Sequence, residues 1–156
     1  MPVIKLNTFI EADILIVFDL SRSIDLHKAS TAHTNEEAIE GITSGLISLN
    51  ESVTWKAKHF GVYQKLSTNI THFNSPTYFV DEQTKGIFKC FKHEHIFKET
   101  SRGTLMIDVF DYTSPLGILG KLADIILLKS YMTKLLIKRN KTIKEYAESN
   151  KWKEVL

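Results

Sequence analysis

The sequence predicts an α+β domain: a strongly curved antiparallel β-sheet wrapped around one long C-terminal α-helix, with short helices after the first strand. Three observations predict it. Five runs within residues 52–112 alternate apolar and polar positions with a period of two. From Pro115 onward the apolar residues recur at helical spacing instead. A lone strand pattern at the N-terminus is followed at once by a short apolar helical stretch.

Residues 2–11 place Ile4, Leu6, Thr8 and Ile10 on one face, as a half-buried strand does. Ala12 and Asp13 then open a helix carrying Ile14, Leu15, Phe18 and Leu20, with Asp13 placed to cap its first turn. A second short helix is expected around 23–30 and a brief strand over 38–41, before a Ser- and Thr-rich loop over 41–51. Strands are expected over 52–60, 62–73, 77–83, 87–99 and 104–112. Their separators, Gly61, Asn74-Ser75-Pro76, Thr84-Lys85-Gly86 and Ser101-Arg102-Gly103, are too short for a crossover, so neighbouring strands run antiparallel. Beyond Pro115, Ile118, Leu122, Ile125, Met132, Leu136 and Ile143 form one stripe, widened by Leu119, Ile126, Leu135 and Tyr146. A helix over that span is about 45 Å long, with Gly117 and Gly120 as breakable points in its first turns. Laid across the concave face of the sheet, it leaves a gap that forms an apolar pocket. With no repeat or linker, residues 1–156 read as one domain.

Composition narrows the function classes. Twenty Lys and Arg against 18 Asp and Glu give a formal net charge of +2, which supplies no electrostatic reason to bind nucleic acid or an anionic membrane. The longest apolar runs fall far short of a membrane span, and Glu11 and Asp13 interrupt the N-terminus before an export signal can form. Cys90 is the single cysteine, so no intrachain disulfide exists and a cytoplasmic location is expected. The basic residues Lys138, Arg139, Lys141 and Lys144 are expected to solvate the outer face near the helix end.

Three stretches carry a family resemblance: ESVTWKAKHFG from Glu51 to Gly61, FKHEHIF from Phe91 to Phe97, and GTLMID from Gly103 to Asp108 followed by SPLG at 114–117. With the order of elements they resemble the START-like, or SRPBCC, helix-grip superfamily. That superfamily includes proteins of the birch-pollen allergen type, polyketide cyclases and aromatases, and lipid-transfer domains. The stretches look like a bacterial branch described as ligand-binding or cyclase/dehydrase-like. The resemblance implies a helix-grip fold and a small hydrophobic partner such as a lipid, polyketide or isoprenoid. It fixes no reaction, because carriers, receptors and enzymes share the scaffold.

Strand parity selects the candidate site. Over 52–60, Trp55 and His59 oppose Lys56 and Lys58 and so face the cavity, with Glu51 on the same parity. Over 87–99, Phe91, His93, His95 and Phe97 oppose Lys92, Glu94 and Lys98, which leaves Cys90 pointing away. Over 104–112, Thr104, Met106, Asp108 and Phe110 share a face. A four-residue loop over 100–103 pairs Glu99 with Thr104 and brings His95 opposite Asp108; a two-residue shift pairs His95 with Phe110 instead. Either Asp81 or Glu82 faces the cavity, depending on whether the next loop is odd or even.

The candidate ligand-binding residues are therefore Glu51, Trp55, His59, Phe91, His93, His95, Met106 and Asp108. Three functions are compatible with them. The first is a binding module for a hydrophobic molecule. The second is a cyclase- or dehydratase-type enzyme in which Asp108 orients His95 as general base or acid while His93 or His59 polarises a carbonyl. The third is a protein-interaction role with an incidental cavity. His93 and His95 also have H-x-H spacing, with His59, Asp108 or Glu51 as third ligand, but this spacing alone marks no metal site. Neither a metal nor another cofactor is expected.

Overall fold

A computed structural model describes residues 2–115, 117–118, 122 and 127–156. Its strands are β1 (Val3–Ile10), β2 (Glu37–Gly41), β3 (Ser52–His59), β4 (Val62–Asn74), β5 (Tyr78–Lys85), β6 (Cys90–Thr100) and β7 (Gly103–Thr113). They form one antiparallel sheet in the order β1-β7-β6-β5-β4-β3-β2. Helices α1 (Ile14–Ser21) and α2 (Ile24–Ser30) follow β1, and α3 (Lys129–Ala147) follows the sheet. This is the expected α+β architecture.

Local chemistry sets the element ends. The Asp13 carboxylate accepts the Leu15 amide at 2.8 Å and starts α1, while the Ser23 hydroxyl accepts the Leu26 amide and starts α2. Between β3 and β4, His59 pairs with Val62 across two residues, Phe60 and Gly61, both at positive φ (50° and 77°). Positive φ at both central residues suits a tight hairpin whose twist matches the flanking strands. Phe60 therefore belongs to the turn and not to the strand expected over 52–60. β6 likewise starts at Cys90, three residues later than expected. Phe88 leaves the ladder to pack against Phe91, Phe110 and Tyr112, held by the Gln83 side chain donating to its carbonyl at 2.8 Å.

Wherever the expected helix of about 45 Å falls on described residues up to Ala147, the backbone is helical. Its fully described part is α3, whose 19 residues span about 28 Å. Leu127 and Leu128 lie in a wider π turn just before it. Gly117, at φ of 54°, stands at the start of the helical stretch with Ile118, and Leu122 is helical as well. Ile118 and Leu122 are 86% and 58% exposed, so neither belongs to a buried stripe. Leu119, Gly120, Ile125 and Ile126 lie outside the described residues. Within α3 the buried positions are Leu136, Arg139, Asn140, Ile143 and Ala147, at helical spacing.

Two apolar clusters hold the layers together. One centres on Phe18 of α1, whose ring meets Phe73, Phe79 and Phe97 edge-on at 5.3–5.5 Å. The other gathers Ile4, Phe88, Phe91, Phe110, Tyr112 and Leu136. Between them the sheet and α3 do not close on each other.

Candidate functional site

The unfilled space is a cavity of about 530 Å³ whose walls come from both clusters: Val53, Trp55, Ile70 and Phe79 on one side, Phe88, Phe91, Phe110 and Leu136 on the other. It reaches the surface beside Phe60, Ile87 and Leu127, which line it while remaining exposed. The walls are apolar because they are the inward-facing positions of strands whose lysines alternate outward. Two polar groups interrupt them.

The first group is built on β5, β6 and β7. The register is the one that loop arithmetic predicts, with Glu99 opposite Thr104 and His95 opposite Asp108. Asp81 pairs with His93 across an odd number of intervening residues, which turns Asp81 inward and Glu82 outward. Asp108 is fully buried. Its Oδ1 accepts from His93 Nε2 at 2.9 Å and lies 3.1 Å from His95 Nδ1 and 3.6 Å from Arg139 Nη1. Its Oδ2 accepts from Asn140 Nδ2 at 2.6 Å. Asp81 Oδ1 accepts from His95 Nε2 at 3.2 Å and stands 3.7 Å from His93 Nδ1. The two imidazoles lie 3.8 Å apart, and Phe79 stacks on His95 at 4.1 Å.

Burial alone would raise both aspartates. For Asp108, the hydrogen bond of His93 and the close approach and electrostatic attraction of both histidines outweigh burial and hold it well below the usual carboxylate range. For Asp81, the His95 hydrogen bond and the electrostatic pull of His93, His95 and Arg139 outweigh burial and bring it below its ordinary value. His93 is lowered, first by burial and then by its neighbour His95, against the pull of both carboxylates. Both carboxylates are thus ionised acceptors, which assigns the His93 proton to Nε2.

The second group sits where β3 meets α3 and the segment before β2. His59 Nδ1 is 2.7 Å from the Tyr131 hydroxyl, and His27 Nε2 is 3.2 Å from Glu36 Oε2 while its ring lies 4.3 Å from Trp55. Burial lowers His59. Burial also raises Tyr131, helped by the Glu36 charge, so its hydroxyl keeps its proton. Glu36 would be raised by burial, but the charge and hydrogen bond of His27 bring it below its ordinary value.

Among the eight residues selected by parity, Trp55, His59, Phe91, His93 and His95 line the cavity, and Glu51, Met106 and Asp108 do not. Glu51 accepts the Ser48 amide at 2.7 Å and fastens the loop before β3. Met106 is fully buried beneath α1, where its sulfur accepts the Ser21 hydroxyl at 3.4 Å. Asp108 has the expected parity but is covered by α3 and its neighbouring histidines. Cys90 is exposed and outside the lining. Sequence reasoning missed Arg139. Expected on the outer face, it is buried, lines the cavity and donates to the Ser21 carbonyl at 2.8 Å. It shares a stripe with Leu136 and Ile143, and that spacing was the available signal. His27, Glu36 and Tyr131 were missed as well; two of them sit in short segments where periodicity says nothing.

A curved sheet gripping a C-terminal helix around an apolar cavity is the helix-grip fold. Solved structures agree. TTHA0849 from Thermus thermophilus matches with a TM-score of 0.76 at 16% identity, covering 94% of this chain and 97% of that one. Major latex-like protein 151 from Panax ginseng matches with a TM-score of 0.70 at 15% identity, covering 95% and 98%. The di-domain ARO/CYC StfQ of the steffimycin biosynthetic pathway matches with a TM-score of 0.73 at 12% identity, over 94% of this chain and 50% of that one. No protein-family model and no curated protein sequence matches. At these identities the likeness establishes the fold. Among the described residues no helix is long and apolar enough to cross a membrane.

Proposed function

We propose that this protein binds a small hydrophobic molecule with a few polar groups, of the size of a polyketide, isoprenoid or lipid chain, in a reducing compartment such as the cytoplasm. One observation carries the reading: the 530 Å³ cavity has mainly apolar walls and two separate polar groups, at Asp81/His93/His95 and at His59/Tyr131. That volume is in the range of small-molecule sites, and a few convergent polar groups are what orient such ligands. The fold relatives support it, since one of them is the di-domain ARO/CYC StfQ of the steffimycin biosynthetic pathway.

A second reading is acid–base catalysis, cyclisation or dehydration, and one observation favours it. His95 faces the cavity already oriented by two carboxylates, although the one exposed beside it is Asp81 and not Asp108. One experiment addresses both readings. Protein purified from its native host is extracted under denaturing conditions, and the recovered small molecules are identified by mass spectrometry and returned to stripped protein. A hydrophobic compound recovered unchanged after incubation supports binding. Conversion of that compound, abolished by His95→Gln, replaces binding with catalysis. Repeated extractions that yield no hydrophobic compound would overturn both.

A further inference from the structure

The hydrogen-bond arithmetic of the buried histidines does not close. Asp108 can only accept, and it faces His93 Nε2 at 2.9 Å and His95 Nδ1 at 3.1 Å. Asp81 can only accept as well, and it faces the opposite ring nitrogens, His95 Nε2 at 3.2 Å and His93 Nδ1 at 3.7 Å. A neutral imidazole carries one proton. If His95 donates to Asp81, its Nδ1 lone pair lies against the Asp108 carboxylate at 3.1 Å, without the geometry of a hydrogen bond. If it donates to Asp108 instead, two lone pairs and a carboxylate oxygen converge on one point with nothing between them. With both imidazoles neutral, the two carboxylates and one guanidinium, Arg139, leave one negative charge uncompensated.

We propose that Asp81, His93 and His95 form a binding site for a divalent first-row transition metal such as Zn2+, with Asp108 as the carboxylate that orients both histidines. The ligand atoms are Asp81 Oδ1, His93 Nδ1 and His95 Nε2, three groups whose donors lie within 4.8 Å of one another. Bonds of about 2.0–2.1 Å in a tetrahedral site give ligand separations of about 3.3 Å. The observed separations from Asp81 to the two imidazoles, 3.2 and 3.7 Å, need little adjustment. With the metal in place, the His95 proton moves to Nδ1, the His93 proton stays on Nε2, both face Asp108, and every ring nitrogen has a partner. Asp108 itself is fixed by Asn140 at 2.6 Å, and Asn140 also donates to Thr8 at 3.2 Å. A carboxylate holding the far nitrogen of each metal-bound imidazole is the usual outer shell of such sites. All three ligands line the cavity, so the remaining coordination position opens into it. The third ligand is Asp81, none of the three weighed from H-x-H spacing. This proposal does not rest on the hydrophobic-ligand reading.

The test uses the full chain, stripped with a chelator and titrated with Zn2+ by calorimetry and with Co2+ by visible absorption. The expected result is one metal per chain, with the intense d–d bands of low-coordinate Co2+ and no thiolate charge-transfer band. Asp81→Asn and His95→Gln, each confirmed folded by circular dichroism, should weaken Zn2+ at least about tenfold, and Asp108→Asn about tenfold through orientation of the rings. Absence of binding to the wild-type chain overturns the proposal without any variant. Binding that survives Asp81→Asn and His95→Gln, or a charge-transfer band from Cys90, overturns it too. Because the readout is metal alone, a negative result here leaves the extraction experiment untouched.

Discussion

Glu36 shows how the cavity wall links single residues to pH. Its carboxylate is buried, which by itself favours the neutral form, but the charge and hydrogen bond of His27 keep its folded pKa below the free value of 4.5. A group with a depressed folded pKa contributes stability that is present above the unfolded value and lost as pH falls through the folded one. His59, lowered mainly by burial, acts in the same direction over a higher window: below its free value of 6.5 the unfolded chain takes up a proton that the folded chain resists. Urea-unfolding free energy is therefore expected to fall on acidification, beginning near pH 6.5. The gap between wild type and Glu36→Gln should be open at about pH 5.5 and closed well below 4.5. A gap that does not change with pH would show that Glu36 is not held ionised by His27. Neither residue's role was legible beforehand, because Glu36 precedes a short strand and meets His27 only when α2 folds back. Asp108 was legible in position but not in role. Loop length placed it opposite His95, yet its shortest histidine contact is with His93, a diagonal neighbour that backbone register alone does not rank.

At the scale of elements, hairpins were read well, and the long helix was read better in its backbone than in its burial. Loops of two to four residues leave almost no freedom in register, so the β6–β7 pairing followed from counting residues. Gly103, in that hairpin, has φ of 150°, and a Cβ there would collide with the Ile10 carbonyl oxygen at the end of β1. The hairpin thus docks on β1 through the missing side chain. Gly61, at φ of 77° in the β3–β4 turn, faces open space. Gly103→Ala should destabilise by more than about 1 kcal/mol and by more than Gly61→Ala, measured by urea unfolding, because only the first adds a clash to backbone strain. Equal losses would mean the β1 contact gives way freely. The overextended apolar stripe has a different origin. Apolar spacing before Lys129 continues the stripe, but a stripe reports potential burial and not whether a partner surface lies opposite it. Ile118, Leu122 and Leu127 have none among the described contacts that would bury them. Arg139 shows the converse: a charged residue at a buried position, retained because Asp108 and the Ser21 carbonyl face it.

For the whole molecule, the question is whether the 43% apolar content fills a solid core or lines a hollow one. Both arrangements bury the same strand faces and would produce the same sequence periodicity, so the cavity itself could be inferred only from the sheet-and-helix geometry. The two respond oppositely to added volume. In a filled interior an enlarged side chain forces strain costing about 1–3 kcal/mol. In a cavity it meets space. Ala57 is buried on β3 and lines the cavity between Trp55 and His59, with its strand neighbours Lys56 and Lys58 on the opposite face. Ala57→Phe is therefore expected to change unfolding free energy by less than about 1 kcal/mol. The same substitution should weaken an apolar fluorescent dye about tenfold or more, which corresponds to roughly 1.4 kcal/mol of lost binding. The Asp81, His93 and His95 group lies on other strands, so its metal affinity should be unchanged in this variant. Destabilisation of about 1–3 kcal/mol with dye affinity intact would instead show that the interior is packed, and the ligand reading would lose its physical basis.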